Sequence, residues 1–477
     1  MEEKRLYILI YGYLLTRIRY GFYPKGEYLP SIHKLSRLFG VSTMAVRKAV
    51  ELLEQKGYIT SSGNRRTIVI YDAYDPQREL PESAFLSDRE LKTIHQSFDL
   101  IFPQIFYYGL TACDDAMLRE LHQILDQPTN AWDAPTVVFL SGITEALRNP
   151  LLLDLYYDVM LFTYPSHLSK MARDPVFWEQ AYKKLHEKFK NLLTLRENGH
   201  MDALWDLVQK TYPEFPVVYS DEKADTHTDT YRWGKIQICH STAKKLLLRI
   251  YTGEYPSQTF LPSARLLAEE FSIPEITMRR SISLLNDLGV TESVNGVGTK
   301  VLSPVQSLKM IKWENPAVRK NIALYLESLH ILTVTCRPLI CTAFPLISQE
   351  SREYAIEEIR IAQNTGKHGV VIGVCLMTLI EAAGLTALRR IYEKLMDLLI
   401  WGQTLSCMEP PLSLDHPAEL LADSLKRGDS LQFGTALEQV LCTTFLSSQK
   451  KAVSIGIEEA AMLFLPSGPG SGTFGGH

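Results

Sequence analysis

The chain has 477 residues, of which 46% are hydrophobic and 22% charged, with a net charge of −4. That length supports several cores, and the composition excludes a disordered, collagen-like or disulfide-stapled protein. Its seven cysteines include no C-x-x-C pair and no zinc-ligand spacing, an odd count that suits a reducing cytoplasm. Cys336 and Cys341, with Arg337 and Pro338 between them, read as core thiols. The opening Met-Glu-Glu-Lys-Arg starts a helix without an apolar signal core, and the longest apolar run, Gly369–Ile380, is too short to span a membrane. A cytoplasmic protein with no membrane part is expected.

In chain order, Leu6, Leu9, Ile10, Tyr13, Leu14 and Ile18 form a helical pattern that stops at the turn-rich Gly21–Gly26. Leu29-Pro30-Ser31 opens a second helix, with Ser31 as N-cap and Leu35, Leu38 and Phe39 as its apolar face. After Gly40-Val41, Ser42 caps a third helix carrying Val46, Ala49, Val50, Leu52 and Leu53, and Gly57 is its C-cap glycine. Tyr58-Ile59 and Thr67–Ile70 flank Ser61-Ser-Gly63-Asn64, a hairpin signal. Two helices joined by a tight turn and followed by a hairpin make a winged helix-turn-helix.

The same plan occurs twice. Gly21–Val69 and Gly253–Val301 align without a gap at a constant offset of 232 (253 − 21). Shared residues include Tyr23/Tyr255, Pro24/Pro256, Leu29-Pro30-Ser31/Leu261-Pro262-Ser263, Phe39/Phe271, Arg47/Arg279 and Gly57/Gly289. An internal repeat of this length means two copies of a small domain. Charge follows the repeat. Residues 1–72 hold twelve Lys/Arg against six acids and residues 230–304 hold nine against six, so the remainder carries −13. Positive charge concentrated there points to phosphate.

The pattern running from Gly21 and Tyr23 through Leu29-Pro30-Ser31, Leu35, Phe39, Val41-Ser42, Val46-Arg47, Ala49, Leu53 and Gly57 resembles the DNA-binding domain of GntR-type bacterial transcription regulators. The resemblance covers residues 1–72 and about 232–303. It implies that the third helix enters the major groove of double-stranded DNA with the wing beside it. On that basis the DNA-facing residues are Ser31, His33, Ser42, Thr43, Arg47, Lys48, Arg65 and Arg66 in the first copy. In the second they are Ser263, Arg265, Thr277, Arg279, Arg280, Gly296, Gly298 and Thr299. The copies differ where DNA would touch. The family arginine after the helix cap is Thr43 in one and Glu275 in the other, and the arginine after Leu-Pro-Ser is His33 in one and Arg265 in the other. Arg65 and Arg66 replace the Gly-rich wing tip kept as Gly296-Val297-Gly298-Thr299, and they suit a narrow minor groove. Pro274 and Glu275 make the second copy the weaker phosphate binder.

Each winged segment precedes a helical region, after polar connectors at Asp72–Pro81 and Ser220–Thr230. Phe189–Val208 lines up with Ala418–Leu437 at an offset of 229 (428 − 199), so the whole unit reads as duplicated. The expected fold is mainly α: two winged helix-turn-helix domains, 1–76 and 230–304, alternating with two all-α bundles, 82–219 and 305–466, and a flexible tail over 467–477. Phe139–Leu152 and Leu420–Asp429 resemble the effector domain of the FadR-like branch of the same family. Many members of that branch hold a metal with one Asp and three His. Here the matching positions are Thr136, Leu140, Phe189 and Thr211 in the first half, with Ala418 and Val440 at the last two in the second, so no metal and no cofactor are expected.

Three functions compete. The leading one is a DNA-binding transcription regulator with two readers in one chain, a pseudo-dimer that can also pair as a homodimer, with its bundles either packing alone or holding a small organic effector. An enzyme is not expected, because no nucleophile, Gly-rich phosphate loop or carboxylate pair stands out. The alternative is a protein-interaction scaffold in which the second winged domain, or both, has lost DNA.

Overall fold

The computed structural model describes residues 23–39, 42–61, 67–72, 88–126, 134–173, 175–211, 238–251, 253–311, 313–364, 369–402 and 415–465. It also describes the separate positions 7, 10, 11, 14, 15, 18, 233, 405 and 408. Both connectors fall largely outside these residues, as do the tail and the wing tip at 62–66. Two compact units are present, one within Met1–Tyr231 and the other Arg232–Leu465.

In the first unit, helical Ile10, Leu14 and Ile18 are buried. Helix α1 (Ile32–Phe39) starts where the Lys34 N–H donates to Ser31 Oγ at 3.2 Å. Helix α2 (Thr43–Gln55) starts where the Ala45 N–H donates to Ser42 Oγ at 3.2 Å. Each serine satisfies one of the amides a helix start leaves open. Ala45, Val46, Ala49, Val50 and Leu53 form the buried stripe of α2, whereas Leu52 is only half-buried. Leu38 and Phe39 have side chains outside the described residues. Helix α2 closes on Gly57 at φ +74°: Tyr58 N–H donates to Leu53 O (3.0 Å) and Gly57 N–H to Glu54 O (2.9 Å). That pair of bonds is a Schellman cap, which requires a left-handed residue. Strands β1 (Ile59–Thr60) and β2 (Ile68–Val69) follow, antiparallel, with Ile59 opposite Val69 and Tyr28 bridging to Ile68. The first bundle completes this unit with α3 (Asp88–Asp99), α4 (Phe102–Ala112), α5 (Asp115–Asp126), α6 (Ala134–Ala146), α7 (Pro150–Arg173), α8 (Pro175–Glu197) and α9 (Met201–Thr211).

The winged part of the second unit is α10 (Ile238–Tyr251), α11 (Ala264–Glu270), α12 (Glu275–Asp287), β3 (Thr291–Val294) and β4 (Gly298–Val301). Its backbone bonds match those of the first unit closely. Leu261 N–H reaches Thr299 O at 2.8 Å where Leu29 N–H reaches Thr67 O at 2.9 Å, and Phe260 bridges Lys300 as Tyr28 bridges Ile68. Gly289 at φ +70° repeats the Schellman cap through Val290 N–H to Leu285 O (2.9 Å). One difference is local: Gly26 at φ +92° is matched by Gln258 at φ +71°, whose side-chain amide is tied to Gln306. A second is that α12 starts at Pro274 with no side-chain cap.

Both helical regions rest on buried apolar stripes and on helix ends closed by the chain itself. In the first, α4 and α6 approach so closely that a Cβ on Gly109 would collide with the Ile143 carbonyl. Arg196 at the end of α8 donates to the carbonyls of Leu110, Thr111 and Cys113 at the end of α4. The second bundle is α13 (Pro304–Met310), α14 (Pro316–Ala343), α15 (Gln349–Asn364), α16 (Gly369–Ala383), α17 (Thr386–Leu398), α18 (Asp415–Arg427) and α19 (Ser430–Ser454). There Arg352 of α15 does the same task, donating to Phe344, Ile347 and Leu425 carbonyls while lying 4.7 Å over the Phe344 ring. Gly199 and Gly428 end α8 and α18 with the same left-handed cap.

Helix α14 adds a longer but charge-interrupted apolar segment to the run Gly369–Ile380. Val318–Leu346 is long and apolar enough to cross a membrane by length and composition, yet 67% of its most apolar stretch is buried inside its unit. Its polar groups find protein partners: Arg337 forks onto Glu438 of α19 at 2.7 and 2.9 Å, Tyr325 bonds Ser448, and His330 Nε2 meets Phe464 O at 3.0 Å. Burial holds His330 neutral, its pKa lowered to about 4. Cys336 is buried as expected, but Cys341 is exposed. Five helical steps of about 100° each turn it roughly 140° away from Cys336.

The two cap glycines make a discriminating test. A Cβ on Gly57 meets nothing within 4 Å, so Gly57→Ala should cost about 1–2 kcal/mol of left-handed strain alone. On Gly289 the Cβ would lie 2.8 Å from Ile311 Cγ1 and 2.9 Å from Ser307 O, so Gly289→Ala should cost a further ~1–3 kcal/mol. Urea midpoints of the two variants measure this, and equal losses would show that α13 yields freely.

Candidate nucleic-acid interface

The candidate reading face of the first unit consists of the starts of α1 and α2 and the outer side of α2. Ser31 and His33 are exposed at the start of α1, and Ser42 is exposed at the cap of α2 with Thr43 half-buried beside it. Arg47 stands exposed one turn further on, with no acidic partner among the described residues, and Lys48 is half-buried. Arg65 and Arg66 lie outside the described residues. The opposite side of α2 is engaged by the core, so Arg47 acts outward.

The equivalent face of the second unit is arranged differently. Arg279 donates through Nε (2.9 Å) and Nη2 (2.6 Å) to Oε1 of Glu275, the first residue of α12. Arg265 donates through Nε to Glu269 at 3.1 Å. Arg280 is exposed and has no carboxylate partner among the described residues. Ser263 caps α11 by accepting from Leu266 N–H, while Thr277 is half-buried. The wing tip turns through Gly296 at φ +74° and Gly298 at φ +142°, and Thr299 Oγ1 lies 3.2 Å from Ser293 Oγ. Leu266, Ile276 and Val297 are exposed around these groups, at 58%, 60% and 64%.

A brace between recognition helix and wing escaped the sequence reading. Glu54 Oε1 accepts the Ser61 N–H at 2.6 Å, and Ser61 Oγ lies 3.4 Å from Thr67 Oγ1. At the matching positions of the second unit, Asn286 donates to Ser293 Oγ at 2.9 Å and accepts from Thr291 Oγ1 at 2.7 Å. The available signal was a polar residue three before the cap glycine in both repeats. In the second unit the winged part is also tied to its bundle. Lys244 of α10 bonds Asp397 of α17 at 3.2 Å, and Lys394 sits 3.7 Å over the Trp233 ring.

Residues 6–69 match the family model described as "Bacterial regulatory proteins, gntR family". This segment is a GntR-family helix-turn-helix domain. The chain is 33% identical over 85 residues to "HTH-type transcriptional regulator TreR" of Bacillus subtilis (strain 168), a match covering 18% of this chain and 34% of that relative. The chain thus spans about a third of the length of this curated relative. Among solved structures, "Streptococcus agalactiae GntR" is 16% identical and covers 44% of this chain and 99% of its own, with a TM-score of 0.20. "E. coli McbR/YncC" is 14% identical, covers 45% and 99%, and has a TM-score of 0.24. The GntR assignment therefore rests on the sequence of the first winged segment.

Within the first bundle, the positions that hold metal in the resembling family do not fit a divalent ion. Thr136 Oγ1 is hydrogen-bonded to His186 Nε2 at 3.0 Å, and Phe189 stacks on Phe139 with ring centroids 4.4 Å apart. Burial, with Lys190 adding to it, lowers the His186 pKa to about 4, so its ring is neutral near pH 7. Gln104 of α4 is fully buried, and both atoms of its amide lack a hydrogen-bond partner among the described residues; Thr211 Oγ1 of α9 is in the same condition. The Tyr107–Trp205 contact and the Arg196 clamp place the start of α9 at the end of α4. The two helices are thus antiparallel, which brings Gln104 and Thr211 to one end of the bundle. His416, exposed on α18, lies away from any cluster of three or more metal-ligating residues among the described residues.

Two outcomes follow. As pH falls from about 6.5 toward about 4, the unfolded chain binds protons that folded His186 and His330 refuse. Stability should therefore decline across that window and level off below it. His186→Gln should flatten part of the decline in urea titrations, and an unaltered pH profile would show that this ring protonates normally. Elemental analysis should find no stoichiometric divalent ion. About one zinc, nickel or manganese per chain, lost in His186→Ala or His416→Ala, would overturn the inference from the substituted positions.

Proposed function

We propose that the chain is a DNA-binding transcription regulator of the GntR type in which the first winged domain is the principal reader. The observation that carries this reading is the GntR-family match over residues 6–69. It is joined by an exposed Arg47, without an acidic partner among the described residues, on a capped helix. On this reading α2 lies in the major groove, and Arg47, with Arg65 and Arg66 on the wing, meets phosphate and base edges. The backbone bonds repeated at an offset of 232 favour a tandem duplication of a winged domain and a FadR-like bundle, with domains 1–76, 82–219, 230–304 and 305–466. One chain then carries two readers, as a homodimer would, and works in the cytoplasm. Control by a small organic effector is favoured in the first bundle, where Gln104 and Thr211 lack partners among the described residues. Buried amides and hydroxyls seldom stay unsatisfied. In the second bundle the position matching Thr211 is apolar, Val440.

A second reading, an interaction scaffold, is supported for the second winged domain by its paired arginines and its exposed Leu266, Ile276 and Val297.

The test is duplex binding by the full chain across a salt series, with mixed-sequence DNA as the probe. Arg47→Ala should weaken binding and lower the slope of log affinity against log salt by roughly 0.9 for each phosphate no longer neutralised. Arg65→Ala/Arg66→Ala should do the same. If both variants retain wild-type affinity and slope, the first winged domain is not the reader.

A further inference from the structure

The reading face of the second winged domain is occupied by its own carboxylates. Glu275 sits at the first position of α12, where open backbone amides and the helix dipole favour an anion. No side chain caps this helix, because Pro274 stands where Ser42 caps α2. The Glu275 carboxylate also takes two donors from Arg279, the counterpart of Arg47. Both Arg279 and Glu275 are reachable from solvent, with side chains 65% and 41% accessible. A DNA phosphate at the start of α12 would need the Arg279 guanidinium, which Glu275 already holds, and would meet the fixed Glu275 charge there.

The neighbouring helix repeats the arrangement. Arg265 near the start of α11 is held by Glu269 one turn later. At the matching positions the first domain has Thr43 in place of Glu275 and Arg37 in place of Glu269. Compared with the first copy, the reading helices of the second thus carry two more negative charges and one fewer positive. Exposed pairs one turn apart are weak and break easily. Their effect on DNA therefore comes mainly from the fixed negative charge, which repels phosphate from the spot where it would bind.

We infer that Glu275 and Glu269 act as built-in phosphate stand-ins that keep the second winged domain off DNA, so that they decide which of the two domains takes up the duplex. This rests on the DNA-binding reading proposed above. Neutralising them frees Arg279 and Arg265 for phosphate and opens the second face.

The experiment uses the full chain carrying Arg47→Ala, which weakens the first domain's contribution, and mixed-sequence duplex DNA as the probe. Adding Glu269→Gln and Glu275→Gln should tighten binding about three- to tenfold near 0.1 M salt and steepen the salt slope by roughly 2, one phosphate per freed arginine. Asp423→Asn is the control, because it neutralises an equally exposed pair one turn apart, Asp423–Arg427, on α18. It should change neither quantity. Adding Arg279→Ala to the double-Gln variant should cancel about half of the gain. Unaltered thermal midpoints for the Gln variants establish that folding is not the cause. A double-Gln variant that gains no more than Asp423→Asn overturns the inference. If Arg47→Ala alone weakens binding as expected, the DNA reading survives that failure. If Arg47→Ala has no effect and the Gln variants restore nothing, both fall together.

Discussion

The architecture of each helix-and-hairpin segment depends on one left-handed residue. Gly57 and Gly289 stop the recognition helix and redirect the chain at once into the first wing strand, through two backbone bonds that a right-handed residue cannot make. From that turn follow the register of the wing, the bridge from Tyr28 or Phe260, and the side-chain brace from Glu54 or Asn286. The described wing strands are thus tied to the helix through both backbone and side chain. Such ties suit the reader role proposed for the first segment, because base and phosphate contacts must be presented together at a fixed spacing.

The two segments share this frame and differ in the exposed side chains mounted on it. Residues that build the frame are apolar or conformationally restricted, and substitution there disturbs packing. Exposed positions are unconstrained by packing, so charge can be reversed there without altering the fold. Glu275, where the first copy has Thr43, and Glu269, where it has Arg37, are carboxylates open to solvent. They leave α11 and α12 helical, and at Glu275 an acidic first turn favours the helix even as it disfavours a phosphate.

The bundles show the same separation between frame and function. Arg196 and Arg352 come from different helices, yet both donate to clustered carbonyls where a helix ends. What differs is the interior. The first bundle keeps Gln104 and Thr211 Oγ1 buried without partners among the described residues; in the second, Trp401 Nε1 is in that condition, while the buried hydroxyls of Thr335 and Tyr392 pair with each other. In the second unit the winged part also touches its bundle through Lys244–Asp397 and through Lys394 over Trp233.

Much of the frame was legible in the chain because it depends on local chemistry. Serine caps at 31, 42 and 263, the glycine turns at 57 and 289 and the spacing of apolar residues act within a few positions of each other, and a sequence displays such relations directly. The repeat at an offset of 232 was legible for the same reason, since it needs only comparison along the chain. The tertiary structure decided what depends on distant partners. Only folding buried the long apolar helix 316–343 in a bundle, turned Cys341 outward while Cys336 went in, and made His186 a neutral partner of Thr136. Only folding showed that Arg265 and Arg279 are already engaged, because an ion pair depends on rotamers and on which neighbours leave space for them, and composition carries neither.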